Sequence, residues 1–167
     1  MSLIGLLLRG FGGNASFTGD TTNQLNHSPA DIVRWLLIDL NVGTDPDSET
    51  DWPFFCDGEG DTPDNVIGVN NTSGIVQGEV QYNGEVQEHY GLQFRLRATK
   101  SSVAWPKINE LMLAIDQQVN NNTVTIDGTQ YYVDCIARTG TVFALGKADG
   151  KRYVYTLNAT VSLRQIV

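Results

Sequence analysis

The sequence predicts an α+β fold: a twisted, mainly antiparallel sheet with two helices packed on one face, plus an extended N-terminal arm over residues 1–27. Three observations carry that reading. Apolar residues recur at three- and four-residue spacing within residues 29–40 and 102–118, the stripe of an amphipathic helix. Elsewhere the ordered stretches alternate with period two, as strands with one buried face do. The dipeptides Asp127-Gly128 and Asp149-Gly150 separate apolar segments by tight turns, which favours antiparallel pairing.

Each element follows from its residues. The start, "MSLIGLLLRGFGG", has a short apolar run but neither a basic leader nor a convincing cleavage site, so it reads as a strand or an anchoring arm. The rest of residues 1–27 is rich in turn formers and poor in periodicity. "SPADIVRWLLIDL" then begins a helix sharply. Ser28 is the N-cap, Pro29 takes the first helical position and Asp31 faces the positive end of the helix dipole. Ile32, Val33, Leu36, Leu37 and Leu40 form its stripe, and it ends near residues 41–43.

An acidic loop over residues 44–65 leads to the extended runs "VIGVN" and "GIVQGEVQY". In the next strand Leu92, Phe94, Leu96 and Ala98 point one way, and Gln93, Arg95, Arg97 and Thr99 the other. The second helix has Ser101 or Ser102 as N-cap, Pro106 in its first turn and a stripe of Ala104, Ile108, Leu111, Met112, Ile115 and Val119. Three asparagines, 120–122, stop it. In the long last strand Tyr153, Tyr155, Leu157, Ala159, Val161 and Leu163 alternate with a more polar set that includes Arg164.

Length and charge narrow the function. The chain has 167 residues, and residues 28–167 read as a single domain with room for a real core. Its net charge of −8 repels a phosphate backbone, which argues against a nucleic-acid reader but is compatible with DNA passing by without adhering. No apolar run approaches the roughly 18 residues of a membrane span. Cys56 and Cys135 could be bonded to each other; the reading preferred is two free, mostly buried thiols of a reducing compartment.

No catalytic, cofactor-binding or metal-binding pattern is found. Asp57, Glu59 and Asp61 alternate like the start of a calcium loop, but Thr62 holds the position that needs glycine and Gly68 the position of the bidentate glutamate. His27 and His89 are isolated, there is no Gly-x-Ser-x-Gly elbow, and Gly10, Gly12 and Gly13 match no phosphate-binding loop. Trp35 and Trp105 read as core. Trp52, Phe54 and Phe55 either cover the sheet or form a subunit contact, since aromatics gather in interface cores. Arg95 and Arg97 face away from the core, towards an acidic partner in the same chain or in a neighbour. With Arg164 on the last strand, these are the interface candidates.

The order of parts is itself informative. The capped helix "SPADIVRWLLIDL", the segment "PDNVIGVNNTSG", the unit "YGLQFRLRATKSSVAWPKINELMLAID" and the hairpin "FALGKADGKRYVYTLNATVSLR" resemble the tail terminator and minor capsid (tail-completion) proteins of long-tailed bacteriophages. The resemblance spans residues 28–167. It implies a structural virion protein at the head–tail junction, assembled in the host cytoplasm. Such a protein forms a ring, usually a hexamer, that caps the tail tube, stops its polymerisation and offers the surface on which the head docks. Implied partners are other copies of the chain, the tail tube protein, a head-completion or connector protein, and double-stranded DNA passing through the lumen without specific binding. It implies no catalytic residues and no cofactor. Two alternatives remain open: a head-completion or connector ring component, and a small soluble binding module or an enzyme with an unrecognised site.

Overall fold

The computed structural model describes residues 25–48, 51–77 and 87–166. Residues 1–24 of the expected arm lie outside the described residues. Its last three do not stand free: Leu25 packs on the core, the Asn26 amide donates to Gln165 Oε1 at 3.1 Å, and His27 Nδ1 lies 2.7 Å from the Tyr131 hydroxyl.

Helix α1 (Pro29–Asp39) starts as its sequence dictates, with Ser28 Oγ accepting from the Asp31 amide at 3.1 Å. Asn41 ends it in the left-handed region (φ 61°). The Asn41 and Val42 amides close back on the carbonyls of Ile38 and Leu37, so an asparagine fills the position glycine usually takes. The chain then passes Gly43, which has no side chain to obstruct the buried ring of Phe54: a Cβ there would stand 2.6 Å from Phe54 Cδ2.

Seven strands form one sheet: β1 (Phe54–Cys56), β2 (Val66–Gln77), β3 (Gln87–Ala98), β4 (Asn122–Ile126), β5 (Thr129–Arg138), β6 (Phe143–Ala148) and β7 (Arg152–Ile166). The spatial order is β1-β2-β3-β7-β5-β4. All pairs are antiparallel except β1 with β2, because β1 arises within the stretch that reads as an acidic loop and enters beside β2 in the same direction. The 15-residue β7 is the spine. One of its edges carries β3; the other is shared end to end by β6, opposite residues 152–156, and β5, opposite residues 159–166.

Both hairpins predicted from Asp-Gly form. Asp127 and Gly128 (φ 47° and 81°) join β4 to β5, and Asp149 and Gly150 (φ 52° and 68°) join β6 to β7. Two consecutive positive φ values mark the turn that matches strand twist.

Helices α1 and α2 (Ser101–Gln117) share one hydrophobic core with Leu92, Phe94, Leu96 and Ala98 of β3 and Tyr155, Leu157, Ala159, Val161 and Leu163 of β7. Helix α1 touches both β1 and β4, the strands at opposite ends of the order, so the sheet curls around it.

Four local expectations change. Helix α2 is capped one or two residues earlier than expected. The Lys100 carbonyl accepts from Val103 and Ala104, Lys100 stands at the cap without a side-chain bond, and Pro106 therefore falls in the second turn. Ser101 spends its hydroxyl on Tyr155, 2.9 Å away. Of the two tryptophans read as core, Trp35 is half-buried and Trp105 is 50% exposed. Both cysteines are free, but Cys135 is exposed rather than buried. A bulge between Val133 and Cys135 shifts the phase of β5, so that Tyr131, Val133 and Ile136 reach the core and Cys135 turns outward.

Candidate assembly surface

The sheet face turned away from the helices is where Arg95 and Arg97 point, as strand alternation requires. It is covered by the chain itself. Residues 57–65 fold over it, and Glu59 lies 3.1 Å from Arg95. Arg97, only 6% exposed, donates to the carbonyls of Gly60 at 2.6 Å and Pro63 at 3.0 Å. Arg152 pairs with Asp64 at 2.8 Å, and Asn65 accepts from the Thr99 amide. The acidic residues that suggested a calcium loop are thus engaged otherwise: Asp57 accepts from the Asn71 backbone and side chain, and Glu59 faces an arginine. Among the described residues, no group of three or more His, Cys, Asp and Glu side chains is placed to hold a metal ion.

The other candidates separate. Phe54 is fully buried against Gly43, while Phe55 is half-buried. Trp52 sits half-buried in left-handed backbone (φ 67°), with the Lys107 ammonium 6.0 Å from its ring centre. Arg164 is well exposed near the end of β7, stacked at 5.1 Å over Tyr132 and 3.6 Å from Asp134. The six residues do not converge on one site. Phe54 and Arg97 are internal anchors; Trp52, Phe55, Arg95 and Arg164 retain exposed surface at separate places.

Among the described residues, several large apolar side chains are exposed, including Trp105, which the sequence reads as core. Along α2, Trp105 is 50% and Leu113 53% exposed; along β6, Phe143 is 64% and Leu145 55% exposed. They do not form one patch: Phe143 is opposite Thr156, which is itself opposite Arg95, so Phe143 faces the helix-free side of the sheet. The Trp105 ring lies 5.9 Å from that of Tyr155, which is opposite Ala144 of β6, and a groove of about 650 Å³ runs between α2 and the β5–β6 connection. Trp105, Met112, Leu113 and Val142 supply its apolar wall, and the Asp116–Arg138 ion pair (2.7 Å) closes one end. The carboxylate beside Arg138 holds that guanidinium even more firmly protonated than usual. A contiguous apolar groove of this kind is a candidate contact site. The missed signal was positional: Trp105 and Leu113 lie one or two residues off the stripe Ala104, Ile108, Leu111, Ile115.

The chemistry available elsewhere is structural. Burial, with an aspartate nearby, raises the Cys56 thiol to about 11, and burial pushes the Tyr131 phenol up. No helix among the described residues is long and apolar enough to cross a membrane.

Comparison with curated proteins finds no match. Comparison with protein families matches residues 36–165, from within α1 to the end of β7, to the bacteriophage tail terminator proteins. That stretch contains the whole sheet, α2 and the exposed apolar surface; the chain belongs to the bacteriophage tail terminator family and is a structural protein of a phage tail.

Proposed function

We propose that the chain closes into a homo-oligomeric ring, a hexamer, on the head-proximal end of the tail tube, where it stops tube polymerisation and presents the surface to which the head docks. The observation that carries this reading is the set of large apolar side chains left exposed at separate places, Trp105 and Leu113 on α2 and Phe143 and Leu145 on β6. A ring needs head-to-tail contacts that close on themselves, and such contacts require apolar area that is exposed on the single subunit. Trp52, Phe55, Arg95 and Arg164 are secondary contact candidates, and Arg97 and Phe54 act by holding the surfaces in place. The net charge of −8 suits a lumen through which double-stranded DNA passes without adhering. The partners are other copies of the chain, the tail tube protein and a head-completion protein, and the work is assembly rather than catalysis, without a cofactor.

Light-scattering mass with negative-stain imaging, for the protein alone and with tail tube protein, tests the proposal. Rings alone, or rings forming on tube ends and halting their growth, are expected. A monomer that ignores tubes yet binds the head-side connector would overturn it in favour of a connector component. One that ignores both would point to a binding module.

A further inference from the structure

The apolar groove between α2 and the β5–β6 connection has a matching ligand within the same sequence. We propose that it seats the apolar run Leu3 to Leu8, "LIGLLL", delivered from a neighbouring subunit. This rests on the ring reading above and names the contact that would close the ring.

Length and chemistry agree. From Trp105 to Asp116 the groove follows eleven residues of helix, about 16 Å at 1.5 Å per residue. A six-residue extended segment is about 20 Å long. The apolar part of the wall is Trp105, Met112, Leu113 and Val142, which an aliphatic run can cover, while Asn109 and Thr141 stand beside it as partners for the backbone of an extended segment. Charge favours the match as well. Residues 1–19 carry Arg9 and no acidic side chain, whereas the whole chain is −8. An apolar, basic segment therefore meets an acidic body.

Geometry separates donor from acceptor. The described chain begins at Leu25, beside Tyr131 near the start of β5, while Arg138 at the far end of β5 lines the groove. The two are seven residue steps apart along the strand, roughly 23 Å. The 17 residues from Leu8 to Leu25 reach at most about 60 Å, enough for the groove of a neighbouring subunit as well as for its own, which the test below distinguishes. A donor and an acceptor at different places on one molecule are what a head-to-tail contact needs.

The test is disulfide trapping in the full-length chain, on a background of Cys56→Ala and Cys135→Ser. A chain carrying Leu6→Cys is mixed with one carrying Leu113→Cys and mildly oxidised, alone and with tail tube protein. The expected result is a cross-linked pair at least tenfold more abundant than for Leu6→Cys mixed with the exposed turn variant Lys151→Cys. Adding Trp105→Asp to the acceptor chain, at a half-exposed position, should abolish the excess while circular dichroism stays unchanged. No excess over the control overturns the proposal. So does a closed monomer in the doubly substituted chain with no cross-link in the mixture, since the run would then lie on its own subunit. Mass measurements on the unoxidised protein keep the two readings apart. Rings without the cross-link sink only the groove contact; the cross-link in an oligomer that does not cap tubes supports the contact and sinks the terminator ring.

Discussion

Glu59 meets Arg95 at 3.1 Å on the sheet face turned away from the helices, and there the glutamate is nine-tenths buried. The pair, with Arg97 beside it, converts an acidic loop into a fixed cover. The energetic weight falls on Arg97, because Arg95 keeps 40% of its side chain in water and an exposed ion pair is worth little. Arg97 instead donates two bonds to carbonyls it has helped to bury. Arg97→Ala is expected to cost about 2–3 kcal/mol in urea unfolding and to speed proteolysis within residues 57–65. Lysine, with a point charge in place of a planar fork, should recover only part of the loss. A cost under about 0.5 kcal/mol would mean that water replaces the guanidinium freely.

Gly43 is demanded by Phe54. A Cβ at 2.6 Å from the ring cannot be accommodated without moving a fully buried side chain. Gly43→Ala should destabilise by about 1–3 kcal/mol, the range for overpacked cores. Combining it with Phe54→Leu should cost less than the sum of the two single changes, because the smaller side chain relieves the clash. Additive costs in thermal unfolding would show that the loop yields instead.

Phe143 and Leu145 project from β6 and make no core contribution. Replacing both by serine should leave stability within about 0.5 kcal/mol of the parent while lowering the light-scattering mass or abolishing tube capping. Unchanged assembly would remove β6 from the contact surface.

The two thiols should respond differently to alkylation. Cys135 is exposed, whereas Cys56 is held at about 11 by burial, raised from 9.0. At pH 8 Cys56 then has about a hundredfold less thiolate than a thiol at 9.0, so mass spectrometry should find Cys135 modified first. The same shift bears on stability. The unfolded thiol loses its proton near 9 and the folded one near 11, so this contribution is complete below pH 9 and is lost as pH rises to about 11. The loss should shrink in Cys56→Ala. A stability profile between pH 9 and 11 that is identical in both proteins would rule Cys56 out as its source.

The sequence by itself determined those features whose causes are local. Ser28, Pro29 and Asp31 specify a helix start within four residues, Asp-Gly specifies a turn, and alternation from Tyr153 to Leu163 specifies which side of β7 faces the core shared with the helices. The order of these parts also carried the family resemblance. Only the tertiary structure decided how far each face is covered. Periodicity sends Arg95 and Arg97 away from the core, but not that residues 57–65 return to bury Arg97. It places Trp105 at the margin of a stripe, but among the described residues only part of the indole is covered and half of it stays in water. A single bulge in β5 inverts the fate of Cys135. The parallel β1 and the curl of the sheet around α1 depend on contacts between residues far apart in the chain. Burial is a property of what packs against a residue, and for this chain those packing partners lie far away in the sequence.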